Sequence, residues 1–355
     1  MNDVAALRAA VAAAGRTIRI MEVCGTHTVA IFRSGVRSLL PAGLDLISGP
    51  GCPVCVTAQG YIDVACDLAR QAGVVVCTYG DLVRVPGRGG SLAEARAAGG
   101  RVEVVYGARQ ALDHARAHPD RQVVFLAVGF ETTAPATALA VLEAARDGLG
   151  NFSVLTAHKL VVPALAALLA GGGVTLDGLL CPGHVSVVIG AEAYRPLVER
   201  HRLPCIVAGF EPASLIDGLT RLCQAVVDGR PVLGNAYAGV ARPAGNEQAQ
   251  AVLARVFRPA AAVWRAMGCI PGSGLELAPE FAGFDARTRF GLVGVDADHH
   301  PPGCRCGEVI QGRATPAQCG LFATVCTPAT PVGPCMVSGE GTCAAYHRYA
   351  RRSAP

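Results

Sequence analysis

From residue 17 to about residue 210, short β-branched runs alternate with alanine- and leucine-rich stretches of helical character. The runs are TIRIMEV (17–23), LDLIS (44–48), VVVCTY (74–79), VEVVY (102–106), QVVFLAV (122–128), FSVLTA (152–157), DGLLC (177–181) and PCIVAG (204–209). Near-continuous apolar strands joined by helices are buried on both faces, so the pattern predicts parallel sheets covered by helices, an α/β fold. Eight strands fit one sheet, but AVGFETTAP (127–135) and VAGFEPASL (207–215) are similar strand-to-loop segments and hint at related units. The expected division is two similar parallel-sheet α/β domains, 1–120 and 121–240, followed by a smaller loop-rich domain, 241–355. In this last part, ARPAGNEQAQAVLARVF offers Asn246 as a helix N-cap; beyond it glycine and proline rise and strand-like runs become few.

A chain of 355 residues, 51% hydrophobic, can bury a large core. Its net charge of +4 is small and dispersed and its aromatic content is 5%, which argues against a nucleic-acid surface. The most apolar stretch, VVPALAALLA (161–170), stops at Gly171, Gly172 and Gly173, too short to span a membrane. The first residues, MNDVAALRAAVAAAGR, read as an amphipathic helix rather than a secretion signal, so the expected compartment is the cytoplasm. Fifteen cysteines in such a compartment point to metal binding or redox chemistry rather than structural disulfides. No G-x-x-x-x-G-K-[ST] phosphate loop occurs.

Ligands of parallel sheets bind outside the carboxyl ends of the strands, and polar residues crowd there: Cys24, His27, Cys52, Cys55, Asp81, Glu131, Thr132, His158, His184 and Glu211. In MEVCGTHT, Gly25 frees the backbone to turn and His27 can return to the side of Cys24, a pairing suited to a metal or to an activated thiol. In GPGCPVC, the spacing of Cys52 and Cys55 lets both sulfurs reach one metal or each other. With no further ligands close by, a redox dithiol ranks ahead of a metal half-site, and inert burial last. Near the C-terminus, Cys306, Cys319, Cys326 and Cys343 are separated by twelve, six and sixteen residues. Four thiolates on loops suit an iron–sulfur cluster, although spacing alone leaves zinc open, and Cys304 and Cys335 are spare or alternative ligands. Cys66, Cys77, Cys205, Cys223 and Cys269 read as core thiols, with Cys181 less determined.

Taken together, MEVCGTHT, GPGCPVCV, VPGRGGSL, VGFETTAP, CPGHVSVVIG, VAGFEP and CTP…MVSGEGTCAAY resemble the HypD family of hydrogenase maturation proteins, in order from about residue 18 to 350. The resemblance implies a scaffold that works with a small HypC-type partner to assemble the Fe(CN)2CO group of [NiFe]-hydrogenases, rather than a conventional turnover enzyme. It implies cyanide delivery by a HypE-type factor, with HypF upstream. Carried onto this sequence, it makes Cys24 the ligand of the transient Fe(CN)2CO iron, with His27 beside it, and Cys52 and Cys55 a thiol–disulfide pair. It assigns a [4Fe–4S] cluster to Cys306, Cys319, Cys326 and Cys343, and it agrees with two α/β domains plus a cluster domain. The rival reading is an iron–sulfur-dependent disulfide reductase acting on a protein through Cys52 and Cys55; a zinc-stabilised binding protein is a third.

Overall fold

A computed structural model describes residues 2–350. All eight expected runs are strands: β1 (Ile18–Glu22), β2 (Leu44–Ser48), β3 (Val74–Thr78), β4 (Val102–Val104), β5 (Gln122–Gly129), β6 (Phe152–His158), β7 (Gly178–Pro182) and β8 (Cys205–Ala208), with a short β9 (Leu233–Asn235) added. They form two parallel sheets, one in the order β2-β1-β7-β8-β9 and the other β4-β3-β5-β6. The architecture is thus α/β with two units, as expected.

A cut at residue 120 does not separate those units. It falls just before β5, inside the four-stranded sheet, because the chain leaves the first sheet after β2, builds β3 to β6, and returns at β7. Ile20, Met21 and Glu22 of β1 pair with Gly178, Leu179 and Leu180 of β7. Parallel neighbours always need a crossover, and a crossover long enough can contain a whole second sheet. The two similar segments lie at the ends of β5 and β8, each an interior strand of a different sheet.

Three apolar cores follow from this layout. One lies outside the five-stranded sheet, where the helix Pro212–Val227 and the N-terminal helix Asn2–Ala13 pack on Ile18, Ile20 and Ile206. A second lies outside the four-stranded sheet, around Phe125, Phe152 and Val154. The largest is shared between the sheets and the C-terminal segment, joining Met21, Cys55, Tyr61, Leu126 and Cys335.

The C-terminal segment begins as expected: Asn246 caps the helix Glu247–Val256, its side chain accepting from the Ala249 N–H at 3.0 Å. An antiparallel hairpin then follows, β10 (Phe257–Trp264) and β11 (Gly268–Leu277), which the sequence does not announce. Its strands contain Pro259, Pro271, three glycines and a run of alanines in place of β-branched residues, and the register shifts between Ala260 and Ala262, where the extra residues lie on β11. The hairpin straps the sheets: Leu160 N–H donates to Ser273 O (2.8 Å), and Arg265 N–H to Val56 O (2.8 Å). Cys269, expected in the core, sits near the hairpin tip and is exposed, because a two-stranded ribbon leaves one face uncovered. Cys66, Cys77, Cys181, Cys205 and Cys223 are buried. Among the described residues, no helix is long and apolar enough to cross a membrane.

Candidate active site at the carboxyl ends of the two sheets

Cys24 follows β1 and caps the helix Gly25–Arg33 from an extended backbone. Thr26 and His27 turn their N–H groups toward its sulfur, and the Thr26 hydroxyl lies beside it; all three favour a thiolate. Burial is stronger, with the neighbouring Glu340 carboxylate adding to it, and pushes the thiol up to about 12. The resting group is therefore a protonated thiol in a setting that would welcome its anion.

Two glycines are required here. A Cβ on Gly51 would overlap the Val23 carbonyl and the Cys24 backbone, and one on Gly25 would overlap the Glu340 backbone. Three chain segments, around residues 24, 51 and 340, thus pack backbone to backbone. Thr26 Oγ1 donates to Glu340 Oε1 at 2.5 Å, and Asp81 accepts from Ser338 Oγ (2.8 Å) and Gly339 N–H (3.0 Å). Together they frame a cleft of about 940 Å³ between the two sheets, with Cys24 the one cysteine in its wall. Apolar Val54, Val105 and Phe130 and polar Asp81, His184 and Glu340 all line it. Exposed Tyr106 and Val104 stand at its edge.

His27 is fully buried and turns toward β8: its Nε2 lies 3.1 Å from Ala208 O and 3.0 Å from Gly209 O, and its ring packs on Phe210 at 4.8 Å. Two carbonyl partners fix the Nε2–H tautomer, leaving Nδ1 without a partner. Burial lowers its pKa to about 4, so the ring is neutral. His27 anchors the Cys24 helix to the end of β8, and the imidazole in the cleft wall is that of His184. Beneath Cys24, the buried Glu22 carboxyl accepts from Thr28 Oγ1 (2.8 and 2.7 Å) and Ser48 Oγ (2.6 Å), and burial raises it to about 8.

Of the other rim residues, Thr132 reaches the cleft. Glu131 is buried and accepts from the Val161 N–H at 2.9 Å, joining the end of β5 to the next helix. Glu211 is the N-cap residue of the helix Pro212–Val227. His158 lines a separate cavity with Lys159, Tyr61 and Arg287. Sequence reading missed Glu340 and Thr26; the only signal for Glu340 is its place in GEG, three residues before Cys343.

Cys52 caps the single turn Pro53–Val56, its sulfur accepting from the Cys55 N–H at 3.2 Å. Both thiols are buried, 5% and 0% exposed. Cys306, Cys319, Cys326 and Cys343 do converge, and Cys304 and Cys335 converge with them: all six line one small cavity closed by Leu321, Phe322 and Met336. Among the described residues, no three His, Cys, Asp or Glu side chains are set to grip a single metal ion. Four such thiols on separate segments around an apolar cavity are the donor set that a polynuclear iron centre would take, one thiolate to each iron. Cys335 lines this cavity and shares one apolar core with Cys55, and its thiol interacts with those of Cys306, Cys343 and Cys55.

Residues 2–350 match a protein-family model described as "HypD: Hydrogenase formation hypA family". The chain is 46% identical to the hydrogenase maturation factor HypD of Rhizobium leguminosarum bv. viciae, over 99% of this chain and 93% of that protein. It is 44% identical to that of Azotobacter vinelandii, over 99% and 94%, and 43% identical to that of Escherichia coli K12, over 95% and 90%.

Proposed function

The chain belongs to the HypD family of hydrogenase maturation factors, and on that premise we propose that it is the scaffold on which the Fe(CN)2CO group of a [NiFe]-hydrogenase is assembled. The observation that carries this reading is the isolation of Cys24 as the sole thiol in a large, largely apolar cleft between the sheets. A soft sulfur is the donor that an iron bearing cyanide and carbon monoxide would take. The cleft is open enough to admit a HypC-type partner that shares the iron, and later a HypE-type cyanide donor supplied through HypF. The compartment is the cytoplasm.

The chain's own residues divide the work. The Cys24 thiol gives up its proton as iron arrives, and the amides of Thr26 and His27 hold the resulting thiolate. Glu340, bonded to Thr26, places a polar group beside the sulfur. Apolar walls keep water from the iron's remaining positions. Cys52 and Cys55, in the loop that packs on Cys24, are the thiol pair of the site, a dithiol that holds the two electrons and two protons by which it differs from its disulfide. Cys306, Cys319, Cys326 and Cys343 would hold a [4Fe–4S] cluster, which when bound supplies single electrons. This is redox support for assembly rather than turnover of a free substrate.

A reductase acting on another protein would need Cys52 or Cys55 at the surface, and both lie beneath it. The test is an infrared spectrum of anaerobic protein co-expressed with a HypC-type partner and the cyanide-delivering factors. Bands of iron-bound cyanide and carbon monoxide should appear, and vanish in Cys24→Ala while the brown cluster absorbance stays. Bands that persist in Cys24→Ala would remove Cys24 as the ligand. A brown sample without bands would favour the reductase, and a colourless one a zinc site.

A further inference from the structure

Arg265 lies in the turn between β10 and β11, yet it is only 2% exposed. Its backbone N–H donates to Val56 O at 2.8 Å and its Nε to Thr57 O at 3.0 Å, which draws the guanidinium inward. Nη2 is buried and has no hydrogen-bond partner. Among the described residues no carboxylate forms an ion pair with Arg265: Asp298, which accepts from the adjacent Ala266 N–H at 2.8 Å, lies instead 3.4 Å from His300 Nε2. A guanidinium keeps its charge at every pH at which a protein stays folded, and a charge buried without a counter-charge is costly. The Thr57 carbonyl satisfies one N–H but cannot cancel the charge.

The turn that carries Arg265 is seated against the cysteine cavity. A Cβ on Gly307 would overlap Ala266, and Gln311 Nε2 donates to Ala266 O at 2.9 Å, so the turn is tied to the helix Cys306–Ile310. The Arg265 charge favours the thiolate of Cys304, which its interaction with Cys306 and its burial push up. It does the same for Cys306, which Cys304 also lowers while Cys335 and burial raise it. Both thiols are among the six that line the cavity.

We propose that Arg265 is the counter-charge of the iron–sulfur cluster held by Cys306, Cys319, Cys326 and Cys343, and that it sets the reduction potential of that cluster. This inference rests on the cluster assignment given above. Four thiolates bring more negative charge than the iron and sulfide they bind can cancel, so the loaded cavity is anionic and becomes more so on taking up an electron. In apolar surroundings a fixed cation beside it offsets that charge, favours the reduced form and raises the potential. The unpaired guanidinium and the excess negative charge then balance one another. Arg265 would act through its charge, without ligating iron or moving a proton.

The experiment is a potentiometric titration with dithionite, followed by electron paramagnetic resonance, of anaerobically purified full-length parent, Arg265→Gln and Arg265→Lys proteins. Iron and sulfide content and circular dichroism are measured on the same samples. The midpoint of Arg265→Gln is expected to fall below that of the parent at equal iron content, whereas Arg265→Lys, which keeps the charge but not the planar fork, stays near the parent. A merely structural role would lower iron content or stability without moving the midpoint. Equal midpoints in Arg265→Gln and the parent would overturn the proposal, and so would a midpoint in Arg265→Lys as low as that of Arg265→Gln. Should Arg265→Gln not retain the cluster, Arg265→Lys decides alone: a loaded protein with a midpoint near the parent's supports the proposal, and loss of the cluster in both variants overturns it. A parent protein with no reducible iron signal would sink the cluster assignment and this inference with it, whereas a loaded parent with an unmoved Arg265→Gln midpoint would sink this inference alone.

Discussion

The amide nitrogen of Gly25 donates to the carbonyl oxygen of Gly51 across 3.1 Å. By this bond the loop that carries Cys24 and the loop that carries Cys52 and Cys55 behave as one unit, although they follow different strands. Neither position has room for a side chain.

Gly51→Ala should therefore separate the two loops. The added methyl overlaps backbone, which cannot yield as a flexible side chain would, and overpacking of this kind costs ~1–3 kcal/mol. Urea denaturation should show that loss, and co-expressed variant protein should carry less iron-bound cyanide. Full retention of both would mean that the loops are not tightly coupled.

The four thiols assigned to a cluster make a separate prediction. Replacing Cys306, Cys319, Cys326 or Cys343 by Ala should each remove most of the iron and the brown absorbance, because a [4Fe–4S] cluster is held by one thiolate per iron. Cys304→Ala should keep both. Iron loss in Cys304→Ala with retention in Cys306→Ala would exchange their roles, a swap the geometry allows since the two thiols are in contact.

Glu22 should make stability depend on pH. Burial raises its carboxyl to about 8 from an ordinary 4.5, against the lowering effect of the Ser48 and Thr28 hydroxyls. The folded state thus holds the proton more tightly than the unfolded chain. Its contribution is complete below about 4.5 and is lost as pH rises toward about 8. Glu22→Gln should then be increasingly more stable than the parent as pH rises through this window, by up to about 1.4 kcal/mol per pH unit. Denaturation midpoints that run parallel for the two proteins would show that Glu22 is not the titrating group.

Arg37 joins the first motif to the last. Its guanidinium lies 4.8 Å from the Phe32 ring centre and 5.1 Å from that of Tyr346, and it donates to Tyr346 Oη at 2.8 Å. Tyr346 lies on the helix Thr342–Tyr349, which also carries Cys343. Arg37→Ala should cost ~1–2 kcal/mol, and Arg37→Lys should recover only part of it, because an ammonium lacks the broad guanidinium that reaches both rings while donating to Tyr346 Oη. Thermal unfolding measures both variants; full rescue by Lys would reduce the interaction to simple charge.

Much of the fold is legible along the chain. QVVFLAV is β5 short of its final glycine, because a strand buried on both faces is nearly continuously apolar, and LDLIS is β2 residue for residue, its exposed Asp45 fitting an edge strand. Asn246 is the cap its side chain predicts. The hairpin β10–β11 is not legible, since its glycines, prolines and alanines carry no period-two signal, and Cys269 was misread along with it. In the site, Cys24 and the dithiol are visible as motifs, whereas Glu340 becomes significant only where its backbone meets Gly25.

The sequence by itself determined the strands, the helical connections and the cysteine motifs, because these depend on local burial pattern and on spacing over a few residues. Tertiary structure alone decided that β1 pairs with β7, that residues 24, 51 and 340 meet at one cleft, and that six C-terminal cysteines line one cavity. Pairing across more than a hundred residues depends on which apolar faces can be buried together in three dimensions, and no window of sequence contains that information.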